Sequence, residues 1–170
     1  MTFGTHLAEG RKRRKLSQQD VAIEVPCSRE SISKYETGER QLPKDMYEPI
    51  LKTLDDPETY FHGWKETSGY VSIPYFDGDY INHQPLNMLY LAKLESAEAL
   101  EHLKNIRWEK PSNALTEEER EDARKAMKEV LDAAASMVNL VAAFCREYRF
   151  SMKDIFKVWH VSLKSRRYKK

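Results

Sequence analysis

Residues 16–38, LSQQDVAIEVPCSRESISKYETG, bring together side chains suited to reading the edges of DNA bases. A helix capped by Ser28 and ended by Gly38 turns Ile32 and Tyr35 inward and leaves Arg29, Glu30, Ser33 and Lys34 outside. Arginine can bind guanine with two hydrogen bonds and glutamate can accept from cytosine, and each good contact discriminates by about 1–3 kcal/mol. The preceding helix must position this one. Ser17 is its natural N-cap, Asp20 suits its positive end, Val21, Ala22 and Val25 follow at helical spacing, and Pro26 stops it. Two short helices joined by a tight turn, the second with polar first turns, predict nucleic-acid recognition.

Leu16-Ser17-Gln18, Val21-Ala22, Ser28-Arg29, Ile32-Ser33, Tyr35-Glu36 and Gly38 together resemble the helix-turn-helix of the phage repressor (Cro/cI, or XRE) family. The resemblance covers roughly residues 3–61 and implies a five-helix domain. It further implies that Gln18 touches the phosphate backbone, Ser28 caps the recognition helix, and Arg29, Glu30, Ser33 and Lys34 enter the major groove. Arg11 and Glu36 fall where the family has a bracing ion pair. Three residues depart from the pattern: Pro26 replaces a turn glycine, Gly10 a helix 1 leucine, and Pro49 interrupts Met46, Ile50, Leu51 and Leu54 of the fourth helix. The turn after the second helix must therefore take another geometry, something else must fill the space at Gly10, and the fourth helix must kink or start near Pro49.

Net charge is +1, so the overall balance does not point to DNA, but its distribution does. Arg11 to Lys15 form a basic block in which Arg13, Arg14 and Lys15 are expected on phosphate. Lys164, Arg166, Arg167, Lys169 and Lys170 form a second, read either as another phosphate contact or as a solvated helix end. Cys27 and Cys145 lie far apart and do not read as a disulfide, and Cys27 reads as a small buried hydrophobe ahead of a redox sensor. The N-terminus lacks the apolar core of a secretory leader, so the expected location is the bacterial cytoplasm, on the nucleoid when bound, with no membrane partner.

Residues 62–85, rich in glycine, proline and tyrosine, read as a connector. Trp64, Tyr70, Tyr75, Phe76 and Tyr80 are too many aromatics for a solvated linker, so it should pack on a flanking domain. Asp77-Gly78-Asp79 lacks the rest of a calcium loop and reads as a turn. Residues 86–170 are helical by pattern: one helix carries Leu89, Ala92, Ser96, Ala99, Leu103 and Ile106, a second runs from the Thr116 capping box to about Tyr148, and a third starts at Ser151 with Ile155, Trp159 and Leu163 on one face. In residues 130–145 the polar Asp132, Ser136 and Asn139 make one narrow stripe, leaving most of the circumference apolar. A helix so apolar needs cover on several sides, and the stretch is too short to span a membrane. Leu89, Leu103, Ile106, Val130, Ala134, Met137, Val141, Phe144 and Trp159 are therefore expected in an oligomer seam.

Catalytic patterns do not emerge. His6, His62, His83, His102 and His160 are scattered, and no His-Glu-x-x-His, Cys-x-x-Cys, phosphate loop or nucleophile elbow occurs. No enzyme activity, metal or cofactor is expected, and the helical C-terminal region is incompatible with the self-cleaving β domain of some phage repressors. The sequence predicts a mostly α protein: a helix-turn-helix domain (1–61), a connector (62–85) and a helical oligomerisation bundle (86–170). Its expected role is a repressor of phage, prophage or plasmid genes that binds double-stranded operator DNA as a homodimer or homotetramer and answers to an anti-repressor or inducer. A DNA-binding antitoxin and a protein-interaction adaptor are the alternatives.

Overall fold

A computed structural model describes residues 2–69 and 71–170; Tyr70, one of the connector aromatics, lies outside the described residues. Among the described residues all regular structure is helical: α1 (Phe3–Arg13), α2 (Gln18–Glu24), α3 (Arg29–Thr37), α4 (Tyr47–Leu54), α5 (Pro57–Ser68), α6 (Pro85–Lys104), α7 (Glu117–Tyr148) and α8 (Met152–Ser165), with 3-10 turns at Lys44–Met46 and Ser112–Ala114. Local chemistry sets several boundaries. Thr2, Ser17, Ser28, Asp56 and Ser151 cap α1, α2, α3, α5 and α8 by accepting a backbone N–H with their side chains. Thr116 and Glu119 exchange hydrogen bonds of 3.2 and 2.9 Å at the start of α7. Pro49 lies in the first turn of α4, where its missing N–H costs little, and the 3-10 turn leads into it. After α2, Val25 is extended (φ −122°, ψ 151°), so Pro26 follows without a left-handed residue at Val25.

The chain forms two compact units, Met1–Tyr75 with Phe144–Lys170, and Phe76–Ala143. The expected bounds lay at 61 and 86; α5 runs on through residues 62–68, and α8 belongs to the first unit.

In the first unit, Phe3, Leu7, Val21, Val25, Ile32, Tyr35, Met46, Ile50 and Leu54 form the core, and burying each large aliphatic side chain contributes about 1.5–3 kcal/mol. Gly4 lets α1 approach the end of α3: a Cβ there would lie 2.1 Å from the Tyr35 carbonyl oxygen. Gly10 is buried against α5, with Thr59 and Asp56 in the space a helix 1 leucine would need. Asp55 (φ 44°) closes α4, and its carboxylate accepts from the Lys153 backbone N–H at 3.1 Å and the Tyr60 hydroxyl at 3.3 Å. The start of α8 is thereby tied to α4 and α5, with Met152 buried.

In the second unit, Ser136 and Asn139 of α7 are fully buried, while Met127, Val130, Leu131 and Met137 are exposed. These two members of the polar stripe are satisfied inside, and Asp132, half-buried, pairs with Lys128. Ser136 Oγ donates to the Ala133 carbonyl at 2.8 Å, Asn139 Nδ2 donates to the Ala135 carbonyl at 2.9 Å, and Asn139 Oδ1 accepts from the Phe76 N–H at 3.0 Å. Phe76 is thereby anchored, as an aromatic connector residue should be. On α6, Met88, Ala92 and Ala99 are buried, Leu89 and Leu103 half-buried, and Leu86, Tyr90, Leu94 and Leu100 exposed. Ile106 lies beyond the end of α6 and so leaves the expected helical seam. The Glu95, Glu129 and Asp132 carboxylates of α6 and α7 come within 4.8 Å of one another, and burial, then the neighbouring acids, push the Glu95 carboxyl up. No helix among the described residues is long and apolar enough to cross a membrane.

Candidate nucleic-acid interface

Helix α3 begins where the Ser28 hydroxyl accepts from the Ser31 N–H at 3.2 Å, and it ends at Gly38, which takes the left-handed conformation (φ 79°). Between these caps Ile32 and Tyr35 are buried, which fixes the rotation of the helix about its axis. The same rotation leaves Ser28, Arg29, Glu30 and Lys34 exposed and Ser33 half-buried. Five polar residues at the start and along one side of a rigidly seated helix form a surface that can donate and accept hydrogen bonds in a groove.

Helix α2 is held by a reciprocal cap: Ser17 Oγ accepts from the Asp20 N–H at 3.1 Å, and Asp20 Oδ2 accepts from the Ser17 N–H at 2.7 Å. The hydrogen bonds from Ser17, backbone first, hold the Asp20 carboxyl below its ordinary value. Glu36 joins this helix to α1 and α3. Its carboxylate accepts from Arg11 Nε at 2.6 Å and Arg11 Nη2 at 2.9 Å, and from Gln18 Nε2 at 2.9 Å. Arg11 Nη1 also donates to the Leu16 carbonyl at 2.9 Å. The hydrogen bond with Glu36 raises the Arg11 pKa further.

Two residues expected on phosphate are engaged inside the domain. Gln18 donates an amide N–H to Glu36 and so also serves the brace. Arg13 donates to both oxygens of Asp56, at 3.0 and 2.7 Å, and lies 3.3 Å from Glu58. Its guanidinium is thus paired with acids of α5 and its N-cap, while the residue stays exposed. Burial would raise the Asp56 carboxyl, but the hydrogen bonds from Arg13 and Thr59 outweigh it and hold the group below its ordinary value. Of the basic block, Lys12, Arg14 and Lys15 are exposed.

Arg40 is a cation the sequence reading passed over. It is exposed, its N–H donates to the Lys34 carbonyl at 3.1 Å, and its guanidinium lies 5.7 Å from the centre of the Tyr35 ring. The charge therefore stands beside the end of α3. No motif spacing marks it, because the loop after Gly38 brings it there.

Cys27 is half-buried, Cys145 is buried, and burial pushes both thiols up. Trp159, exposed on α8, belongs to the first unit, as does Phe144 at the end of α7.

Comparison with known proteins agrees with this geometry in one region. No curated protein and no solved structure matches the chain. Residues 2–58, about a third of the chain by the usual domain scale, match the model of a helix-turn-helix domain family, and that segment is therefore a helix-turn-helix domain of the DNA-binding type.

Proposed function

We propose that this chain is a sequence-specific transcription regulator, a repressor of phage, prophage or plasmid genes that acts in the cytoplasm and grips operator DNA as a dimer or higher oligomer. The observation that carries the reading is the outer surface of α3, where Arg29, Glu30 and Lys34 are exposed on a helix whose rotation is fixed by Ile32 and Tyr35. Arg29 supplies a guanine contact, Glu30 a cytosine contact, and Lys34 a further cation at the groove, with Ser28 and Ser33 beside them. Arg14, Lys15 and Arg40 supply sequence-independent attraction to phosphate.

Oligomerisation is supported by the uncovered edge of α7. Met127, Val130, Ala134, Met137 and Val141 recur at alternating spacings of three and four, the repeat of a coiled-coil seam, and all are exposed or half-buried. Phe144 and Tyr148 continue the spacing at the end of the helix. At 1.5 Å per residue α7 is about 48 Å long, ample for a seam with a second copy. A two-fold pair of heads would read half-sites roughly 34–36 Å apart, and the tether raises the effective concentration of the second head.

Footprinting of the purified chain on the DNA upstream of its own gene, at near-physiological salt with random competitor, tests the proposal. Paired protected half-sites separated by whole helical turns are expected. Weak binding without a footprint, lost on modest addition of salt, would remove the sequence-specific reading.

A further inference from the structure

Outside the helix-turn-helix surface, α1 and α5 face each other with an unusual set of side chains. Glu58 and His62 stand one turn apart on α5, and His6 and Glu9 stand one turn apart on α1. The donor atoms of His6, Glu58 and His62 lie within 4.8 Å of one another, and all three residues are half-buried. Glu9 Oε2 is 4.0 Å from His6 Nδ1. The two imidazole rings are stacked, their centres 3.4 Å apart and their planes 11° from parallel. We propose that His6, Glu58 and His62 bind one divalent transition-metal ion, zinc being the best matched, across the α1–α5 contact.

The donor set carries the choice of ligand. Two imidazole nitrogens and a carboxylate oxygen suit zinc and its neighbours, whereas magnesium and calcium prefer all-oxygen shells. Charge favours a cation as well. Glu9 and Asp56 add negative charge around Glu58, with Arg13 and Arg146 among the cations that oppose it.

The present arrangement needs a small adjustment. Ring lone pairs lie in the ring planes, so two nearly parallel rings cannot aim at one ion until one of them turns about χ2, a soft torsion. Binding therefore exchanges the face-to-face stack for two converging ring edges. Zinc lies about 2.0–2.2 Å from nitrogen and oxygen donors, so the three atoms must also close together. Glu58 must give up or share its 3.3 Å ion pair with Arg13 to do this, while both Arg13 hydrogen bonds to Asp56 can stay. Sequence patterns do not reveal the site, since His6 and His62 belong to helices far apart in the chain.

The full chain, freed of metal by chelation, is titrated with Zn²⁺ by calorimetry and with Co²⁺ by absorption, and its thermal midpoint is followed. One saturable equivalent, ligand-field bands of low coordination number and a raised midpoint with zinc are expected. Glu58→Gln and His62→Gln should each weaken binding by about tenfold or more, on the scale of perturbed metal shells. The doubled variant His102→Gln with His160→Gln, altered only at exposed positions, should bind like the parent. The proposal is overturned if the parent chain takes up no cobalt with ligand-field bands, if Glu58→Gln and His62→Gln bind as the parent does, or if the doubled surface variant loses the ion. The parent titration decides even if a substituted chain fails to fold.

Discussion

Gly10 and Thr59 meet so closely that a Cβ on Gly10 would lie 2.1 Å from the Thr59 hydroxyl oxygen. Thr59 is itself fully buried and donates its hydroxyl to Asp56 at 2.7 Å, so it has no room to withdraw. Gly10→Ala should therefore destabilise the first unit by about 1–3 kcal/mol, the usual range for overpacking, despite a gain of about 1 kcal/mol in helix propensity. Urea unfolding followed by helical circular dichroism measures it. A variant as stable as the parent would mean that α1 and α5 are less tightly apposed.

Glu36 is the acceptor on which Arg11 and Gln18 converge, and the Arg11 and Glu36 side chains are 12% and 6% exposed. Replacing Glu36 by Ala leaves a largely buried guanidinium without its partner, which should cost about 3–5 kcal/mol. Arg11→Ala should cost a similar amount, and the double variant much less than the sum, because the two changes remove one interaction. Additive losses would show that the brace contributes little.

Acid stability separates Asp56 from Glu58. The folded pKa of Asp56 lies below its ordinary 3.8, so its contribution is present above that value and disappears as pH falls below it through the folded pKa. Glu58 is raised above 4.5, so its contribution has the opposite sign: greatest in acid and lost as pH rises from about that value through the folded pKa. Asp56→Asn should flatten the loss of stability below pH 3.8, while Glu58→Gln should steepen the acid loss of stability by removing the opposing contribution. Unfolding free energies measured between acid and neutral pH would contradict the assignment if both variants followed the parent's slope.

Arg29→Ala and Lys34→Ala should each lower the preference for operator over random DNA by about 1–3 kcal/mol, roughly 5- to 150-fold, without altering the assembly state. Arg14→Ala should instead weaken operator and random DNA alike and reduce the salt slope by about one. Competition binding at several salt concentrations distinguishes these patterns. An unchanged preference in both α3 variants would locate the reading surface elsewhere.

Met137 is 51% exposed and Val130 39% exposed on a helix whose Ser136 and Asn139 are buried. Met137→Glu combined with Val130→Glu should drive the protein to monomer in sedimentation experiments while leaving its helical signal intact. A parent chain that sediments as a monomer at micromolar concentration, or a doubly substituted chain that stays associated, would remove the seam.

Caps and breaks were the most legible part of the fold. Ser17, Ser28, Thr116 and Ser151 act within one turn of their own position, so the sequence alone places the starts of α2, α3, α7 and α8. The inward-facing residues of α3 could be read for the same reason, because one short amphipathic helix offers few rotations. Partnerships at long range were hidden. Arg13 looks like any exposed cation until α5 brings Asp56 to it, and residues 62–68 look like a linker although they extend α5. The burial of Ser136 and Asn139 was equally hidden: they find partners in the Ala133 and Ala135 carbonyls and the Phe76 N–H, which removes the penalty of burying them.

The hydrogen bond from Lys153 to Asp55 carries a consequence for the order of assembly. The first unit is discontinuous, with residues 76–143 interrupting it. During synthesis the α1–α5 part leaves the ribosome early, yet the Asp55 carboxylate that receives α8 waits until that helix has been made. The interrupting unit can fold in that interval. Excising residues 76–143 and rejoining the ends respects this architecture, whereas cutting the chain after residue 85 removes α8 and strips cover from the domain it was meant to isolate.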